Sequence, residues 1–139
     1  MKVLICGGRT FASPEDQDPH HYKLQTSYYK DRCFRLYEVR KPTLIIHGNA
    51  NGADKIIGEY LCSTYCIPTV AVPADWKLNG KTAGPIRNRK MLIDWEPDMV
   101  IAFPGGKGTT NMIEQAKDFR VEKVVDLEED YTKYMLGAP

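Results

Sequence analysis

Asp98-Met99-Val100-Ile101-Ala102-Phe103-Pro104-Gly105-Gly106-Lys107-Gly108-Thr109-Thr110 is a strand that breaks on glycines and opens into a helix, and the fold class follows from that junction. Its first half is a short unbroken apolar run, the pattern of a strand buried on both faces. Pro104 and the glycines end the strand, and a helix is read from Thr109 to Phe119. Glycines at such a junction let backbone N–H groups approach an anion, and the helix N-terminus adds favourable partial charge. Gly105, Gly106 and Gly108 are therefore candidate phosphate contacts. Thr109, or Thr110 beside it, can cap the helix and offer a hydroxyl to the same phosphate. The alternative is an ordinary tight turn, which needs one glycine rather than three.

The same alternation recurs along the chain. Lys2–Cys6 is an apolar run stopped by Gly7-Gly8, Thr43–His47 is stopped by Gly48, and Pro68–Val72 and Val121–Val125 are two further strands. Helices are read at 22–40, Asp54–Tyr65 and Pro85–Trp95, with Pro85 suited to a first turn. Residues 12–21, which carry two prolines, and residues 73–84 read as loops, and Leu127-Glu128-Glu129-Asp130 begins a short acidic tail. This is one α/β domain over residues 1–139, a Rossmann-like parallel sheet of about five strands with helices on both faces and right-handed crossovers. Ligands of such sheets bind beyond the carboxyl ends of the strands, at the topological switch point. Gly7-Gly8, Gly48 with Gly52, and Gly105-Gly106-Gly108 all follow strand ends, so they are expected to converge on one edge.

Charged residues beside those turns complete the candidate site. Arg9 directly follows a glycine pair, where a guanidinium can clamp a phosphate bidentately. In His47-Gly48-Asn49-Ala50-Asn51-Gly52-Ala53-Asp54 the small residues allow close backbone approach, and Asp54 can either cap its helix or hydrogen-bond a ribose hydroxyl. Arg87, Asn88, Arg89 and Lys90 lie near a helix N-terminus, where the dipole disfavours cations; an anionic ligand would resolve that conflict. Asp75 and Trp76 follow a strand, so Asp75 is a candidate ribose or base contact and Trp76 can stack on a base or anchor its loop. Gly80-Lys81-Thr82 is not a P-loop, because Asp75 stands where its first glycine would be and no strand abuts it. Asn111 occupies the last position of a would-be Gly-x-Gly-x-x-Gly, so a conventional dinucleotide cofactor is not implied.

Composition sets limits. The chain has 139 residues, of which 42% are hydrophobic and 27% charged, which excludes a disordered or low-complexity polymer. Lys and Arg number 19 against 18 Asp and Glu, a net charge of +1 that gives nucleic-acid binding no support. No apolar run reaches the ~18 residues of a membrane helix. The apolar start is too short for a signal peptide, so a cytoplasmic protein without a membrane partner is expected. Cys6, Cys33, Cys62 and Cys66 are read as buried structural thiols rather than disulfides, and no metal site or cofactor is implied.

Taken in order, Gly-Gly-Arg, His-Gly-x-Ala-x-Gly-Ala-Asp, Pro-Ala-Asp-Trp, Ala-Gly-Pro-Ile-Arg-Asn and Phe-Pro-Gly-Gly-x-Gly-Thr resemble a small branch of the SLOG superfamily, over about residues 3–125. That superfamily is Rossmann-like and includes the LOG cytokinin-activating enzymes, and the branch is common in bacteria and their phages. The resemblance implies a nucleotide-derived small-molecule ligand and a homodimer or higher homo-oligomer. It also implies one of two functions: a non-catalytic binding or sensor module, or a phosphoribohydrolase that cleaves the N-glycosidic bond of a nucleoside 5′-monophosphate. Arg89-Lys90 matches the Arg-Lys pair that precedes the glycine turn in LOG enzymes, and Arg87-Asn88 matches the branch's own motif. Where LOG enzymes carry Glu-Glu this chain has Asn111-Met112, so Glu114, one helical turn on, is the candidate replacement acid. Asn51 stands where the branch often has arginine. The tyrosines of the 22–40 helix (Tyr22, Tyr28, Tyr29, Tyr37) serve either an interface or the core. A protein-interaction role without ligand would leave Arg87 and Arg89 pointing to open solvent.

Overall fold

The computed structural model describes residues 1–15 and 17–137; Asp16, within the 12–21 loop, and the last two residues of the single-domain assignment lie outside the described residues. The elements are β1 (Lys2–Cys6), α1 (Pro19–Arg40), β2 (Leu44–His47), α2 (Ala53–Tyr65), β3 (Thr69–Ala71), α3 (Trp76–Asn79), a 3-10 turn (Gly80–Thr82), α4 (Ala83–Trp95), β4 (Met99–Ala102), α5 (Lys107–Asp118), β5 (Lys123–Asp126) and α6 (Glu128–Met135). The five strands form one parallel sheet in the order β3-β2-β1-β4-β5. The chain thus builds outward from β1 to β3, then crosses back so that β4 lands on the other side of β1. The switch point falls between β1 and β4, where Gly7-Gly8 and Pro104-Gly105-Gly106 follow their strands.

Strand alternation feeds two apolar layers. Val3, Ile5, Ile45, Met99 and Ile101 face α1, α2 and α6, while Leu4, Cys6, Ile46, Val100 and Ala102 face α4 and α5. Both faces of β1 and β4 are covered, which is why these strands read as unbroken apolar runs.

Several boundaries differ from expectation for local reasons. α1 begins at Pro19 rather than Tyr22, because the Asp18 carboxylate caps it, accepting from the N–H groups of His20 (2.9 Å) and His21 (3.3 Å), and Pro19 sits in its first turn. The 73–84 segment holds α3 and the 3-10 turn, and α4 starts at Ala83. The acidic tail is the first turn of α6, whose Glu128, Glu129 and Asp130 suit the positive end of the helix dipole. Tyr131 anchors α6, its ring 5.3 Å from Phe11 and 4.9 Å from Tyr28.

Tyr28 and Tyr29 are core residues, and Tyr37 stacks on Tyr65 at 4.6 Å, so the tyrosines of α1 largely pack within the fold. Of the cysteines, Cys6 and Cys33 are buried, and burial pushes the Cys33 thiol up to about 12. Cys62 and Cys66 are exposed, which corrects the expectation of four buried thiols: Cys62 lies on the outer side of α2, and Cys66 is its left-handed C-cap at φ 56°. Among the described residues no helix is long and apolar enough to cross a membrane.

Candidate functional site

The three glycine turns interlock at the carboxyl edge of the sheet. The Gly8 N–H donates to the Pro104 carbonyl (2.9 Å), and the Gly8 carbonyl accepts from the N–H of Ala53 (3.1 Å), at the start of α2. Gly105 packs against the Thr109 hydroxyl and the Gly8 nitrogen with no room for a Cβ. Close approach, more than backbone conformation, is what requires glycine at this crest.

Beside the crest lies a cavity of about 400 Å³ lined by Cys6, Gly7, Gly8, Arg9, Ala50, Asp54, Arg87, Asn88 and the start of α5 from Gly106 to Thr109. The cap of α5 is Gly106, with no side-chain cap bond, and the first turn closes with Thr110 N–H on the Gly106 carbonyl (3.0 Å). The N–H groups of Lys107, Gly108 and Thr109 therefore have no capping side chain. Helix α5 begins two residues before the expected Thr109, so Thr109 sits in its first turn, 7% exposed, rather than capping it.

Arg87 enters this cavity from α4. It donates through Nη1 to the Gly48 carbonyl (2.5 Å) and through Nε to Asn88 Oδ1 (3.0 Å). Asp54, 4% exposed, accepts the Gly48 N–H on Oδ2 (3.0 Å). It is a tether to the end of β2 rather than a helix cap. Burial pushes the Asp54 carboxyl up to about 6, opposed by the Arg87 charge and by backbone N–H groups of Gly48, Ala50 and Gly7. Burial also lowers the Arg87 pKa, with Asp54 opposing it and Arg9 adding like-charge repulsion. His47, buried behind the turn, accepts the Asn49 N–H on Nδ1 (3.0 Å), and burial holds its pKa down.

A second cavity of about 270 Å³ shares Arg9, Ala50 and Arg87 with the first and adds Gly48, Asn49, Asn51, Pro73, Ala74 and Trp76. Trp76 is 49% exposed, and the Arg9 guanidinium lies 5.3 Å from its ring centroid.

The structure thus gathers Gly7, Gly8, Arg9, Gly48, Asp54, Trp76, Arg87, Asn88, Gly106, Gly108 and Thr109, with Gly105 forming the back of the crest. Three expectations are corrected. Arg89 is outside both cavities: it lies two residues, about 200°, round the helix from Arg87 and stacks over Phe119 at 5.5 Å. Glu114 is exposed and lines neither cavity, while Asn111, one turn earlier, accepts from Asn88 (3.1 Å) and Gln115 (2.8 Å). Asp75 caps α3 through the Leu78 N–H (3.0 Å) and lines neither cavity; it faces an open groove of about 940 Å³ along β3 that shares Pro73, Ala74 and Trp76 with the second cavity and runs on to Lys90, Asp94 and Trp95. That groove is larger, but it lacks the glycine crest and the open helix start.

Asn88 lines the main cavity, yet its amide nitrogen is engaged with the Gly108 carbonyl (3.2 Å) and Asn111, so it locks α4 to the start of α5 rather than offering those hydrogens to a ribose. Lys107, a cation expected at this edge from its place in the glycine turn, lines the main cavity; so does Ala50, whose only sequence signal is membership of a glycine-rich turn.

The chain is 27% identical over 122 residues to the "Gene 61 protein" of Mycobacterium phage D29, an alignment covering 84% of this chain and 88% of that protein. No family model matches the chain. No solved structure matches it.

Proposed function

We propose that this chain binds a phosphorylated, nucleotide-derived small molecule at the carboxyl edge of its sheet, as a non-catalytic binding or sensor module of the SLOG type. One observation carries the proposal: the uncapped start of α5 opens into the same cavity as Arg9 and Arg87. The main cavity, about 400 Å³, lies within the ~300–1,000 Å³ common for small-molecule sites. Phosphate belongs at Gly106–Thr109, between the two guanidinium groups, and the ring system belongs toward Trp76.

Binding is favoured over phosphoribohydrolase activity by the position of the acids. Glycosidic cleavage needs a carboxylate free to stabilise an oxocarbenium-like state or to activate water. Among the described residues Asp54 is the one carboxylate lining the main cavity, and backbone N–H groups engage it. Glu114 lies outside. Association into homo-oligomers and a cytoplasmic setting belong to the same proposal; exposed Phe34 and Val39 on α1 are apolar surface that a second copy would cover.

The test is a thermal-shift panel of nucleoside mono-, di- and triphosphates, run beside an assay for released base. Ligand-dependent stabilisation without base release is expected. Base release at a catalytic rate would replace this function with the hydrolase, and a panel that stabilises nothing would remove both. Light scattering of the free protein reads the oligomeric state.

A further inference from the structure

Arg9 stands where the two ends of the proposed ligand meet. It lines the main cavity, the Trp76 cavity, and a third cavity of about 370 Å³ on the α1 and α6 side of the crest. Its side chain is exposed, and among the described residues it has no hydrogen bond or ion pair within the fold. Its contact is the face of Trp76, at 5.3 Å. Arg87, a guanidinium of the same sign, lines the same cavity, and the two repel. An exposed cation–π contact is weak beside a charge-assisted, bidentate pairing with phosphate. A phosphate at the start of α5 would also relieve the repulsion between the two guanidinium groups.

We infer that Arg9 makes the ring-binding face of Trp76 conditional on phosphate. The guanidinium lies over one face of the indole. Phosphate draws it toward α5, and the uncovered indole then takes the base. This rests on the binding function proposed above and narrows the ligand class to molecules that carry ring and phosphate together. Unphosphorylated nucleosides and free bases must displace Arg9 with nothing to receive its charge, so they are discriminated against. Phosphate and ring binding are thereby coupled, and the coupling is reciprocal.

The experiment is calorimetric titration of the whole chain with the four common nucleoside 5′-monophosphates, the matching nucleosides and inorganic phosphate, using wild type, Arg9→Gln and Arg9→Gln with Trp76→Ala. For a monophosphate that wild type binds, saturating inorganic phosphate is expected to tighten the matching nucleoside by about two- to fivefold. Arg9→Gln should bind that nucleoside about two- to fivefold more tightly than wild type, bind the monophosphate more weakly, and lose the effect of phosphate. Adding Trp76→Ala should cancel the nucleoside gain. A nucleoside bound no better by Arg9→Gln than by wild type, measurable or not, overturns the inference, as does a wild-type nucleoside affinity that ignores phosphate. If wild type binds no monophosphate, the inference falls, and the binding function falls with it only if the wider panel of di- and triphosphates also stabilises nothing.

Discussion

Arg87 and Asp54 hold Gly48 from two sides: the guanidinium donates to its carbonyl oxygen, and the carboxylate accepts its N–H. The turn after β2 is thereby tied to α4 and α2 at once, and a buried carboxylate faces a cation across one glycine. Replacing Arg87 with Met should strand Asp54. Urea unfolding should show a loss of about 2–4 kcal/mol, near the lower end of what orphaning a buried charge costs. Adding Asp54→Asn should restore part of that loss, and strictly additive losses would show that the two residues do not interact.

The two arginines of α4 separate binding from surface charge. Arg89→Ala should leave nucleotide affinity within about twofold of wild type, since its contact is the ring of Phe119. Arg87→Lys should weaken affinity by about tenfold or more, because an ammonium cannot hold Gly48 and a phosphate in one planar fork. Equal losses at the two positions would place the phosphate elsewhere.

Asp54 gives stability a definite pH dependence. Its carboxyl is raised from 3.8 to about 6 in the folded chain, so the native state binds this proton more tightly than the unfolded state. The contribution is fullest below about pH 4, is lost as pH rises through about 6, and is flat above. Asp54→Asn removes that dependence, so its stability relative to wild type should rise between pH 4 and 7 by about 1–3 kcal/mol. His47 titrates in the opposite sense but is common to both chains and cancels in the difference. Parallel denaturant melts across that range check this, and a constant difference refutes it.

Glycines of the crest should respond oppositely to alanine. At Gly105 a Cβ meets Thr109 and the Gly8 backbone, so Gly105→Ala should destabilise by about 1–3 kcal/mol. At Gly108, within α5, a Cβ meets nothing within 4 Å, so Gly108→Ala should stabilise by about 0.5–1 kcal/mol. The same methyl stands at the helix start that faces the cavity, so Gly108→Ala should weaken nucleotide binding while the melting temperature rises. A melting temperature that falls with affinity would reduce the effect to folding.

The sheet and its glycine turns were legible because the inner strands β1, β2 and β4 are short apolar runs followed by glycines that close packing demands, while β3 and β5 are partly exposed edge strands without such glycines. Less was legible where the decisive partner is distant in sequence. Helix α6 is short and acidic, and its order comes from Tyr131 against Phe11 and Tyr28 and from Asp130 accepting from Tyr28 Oη (2.5 Å) and Arg32 Nε (2.9 Å). Choosing between Arg87 and Arg89 required the rotational phase of α4, which burial of Asn88, Met91 and Leu92 sets. The carboxylates misled for a related reason. A sequence shows an acid near a turn but not whether backbone N–H groups already hold it, as they do at Asp54 and Asp75.

The central position of β1 has a consequence for the order in which the protein is made. During synthesis β1 emerges before both of its partners, pairs with Leu44–His47 on one side and waits for Met99–Ala102 on the other. Until β4 arrives, Gly8 has no Pro104 carbonyl to meet, the α5 start does not exist, and one edge of β1 is bare. The candidate site is therefore among the last features to form during synthesis, and a nascent chain halted before residue 99 would expose an apolar parallel edge with no pocket beside it.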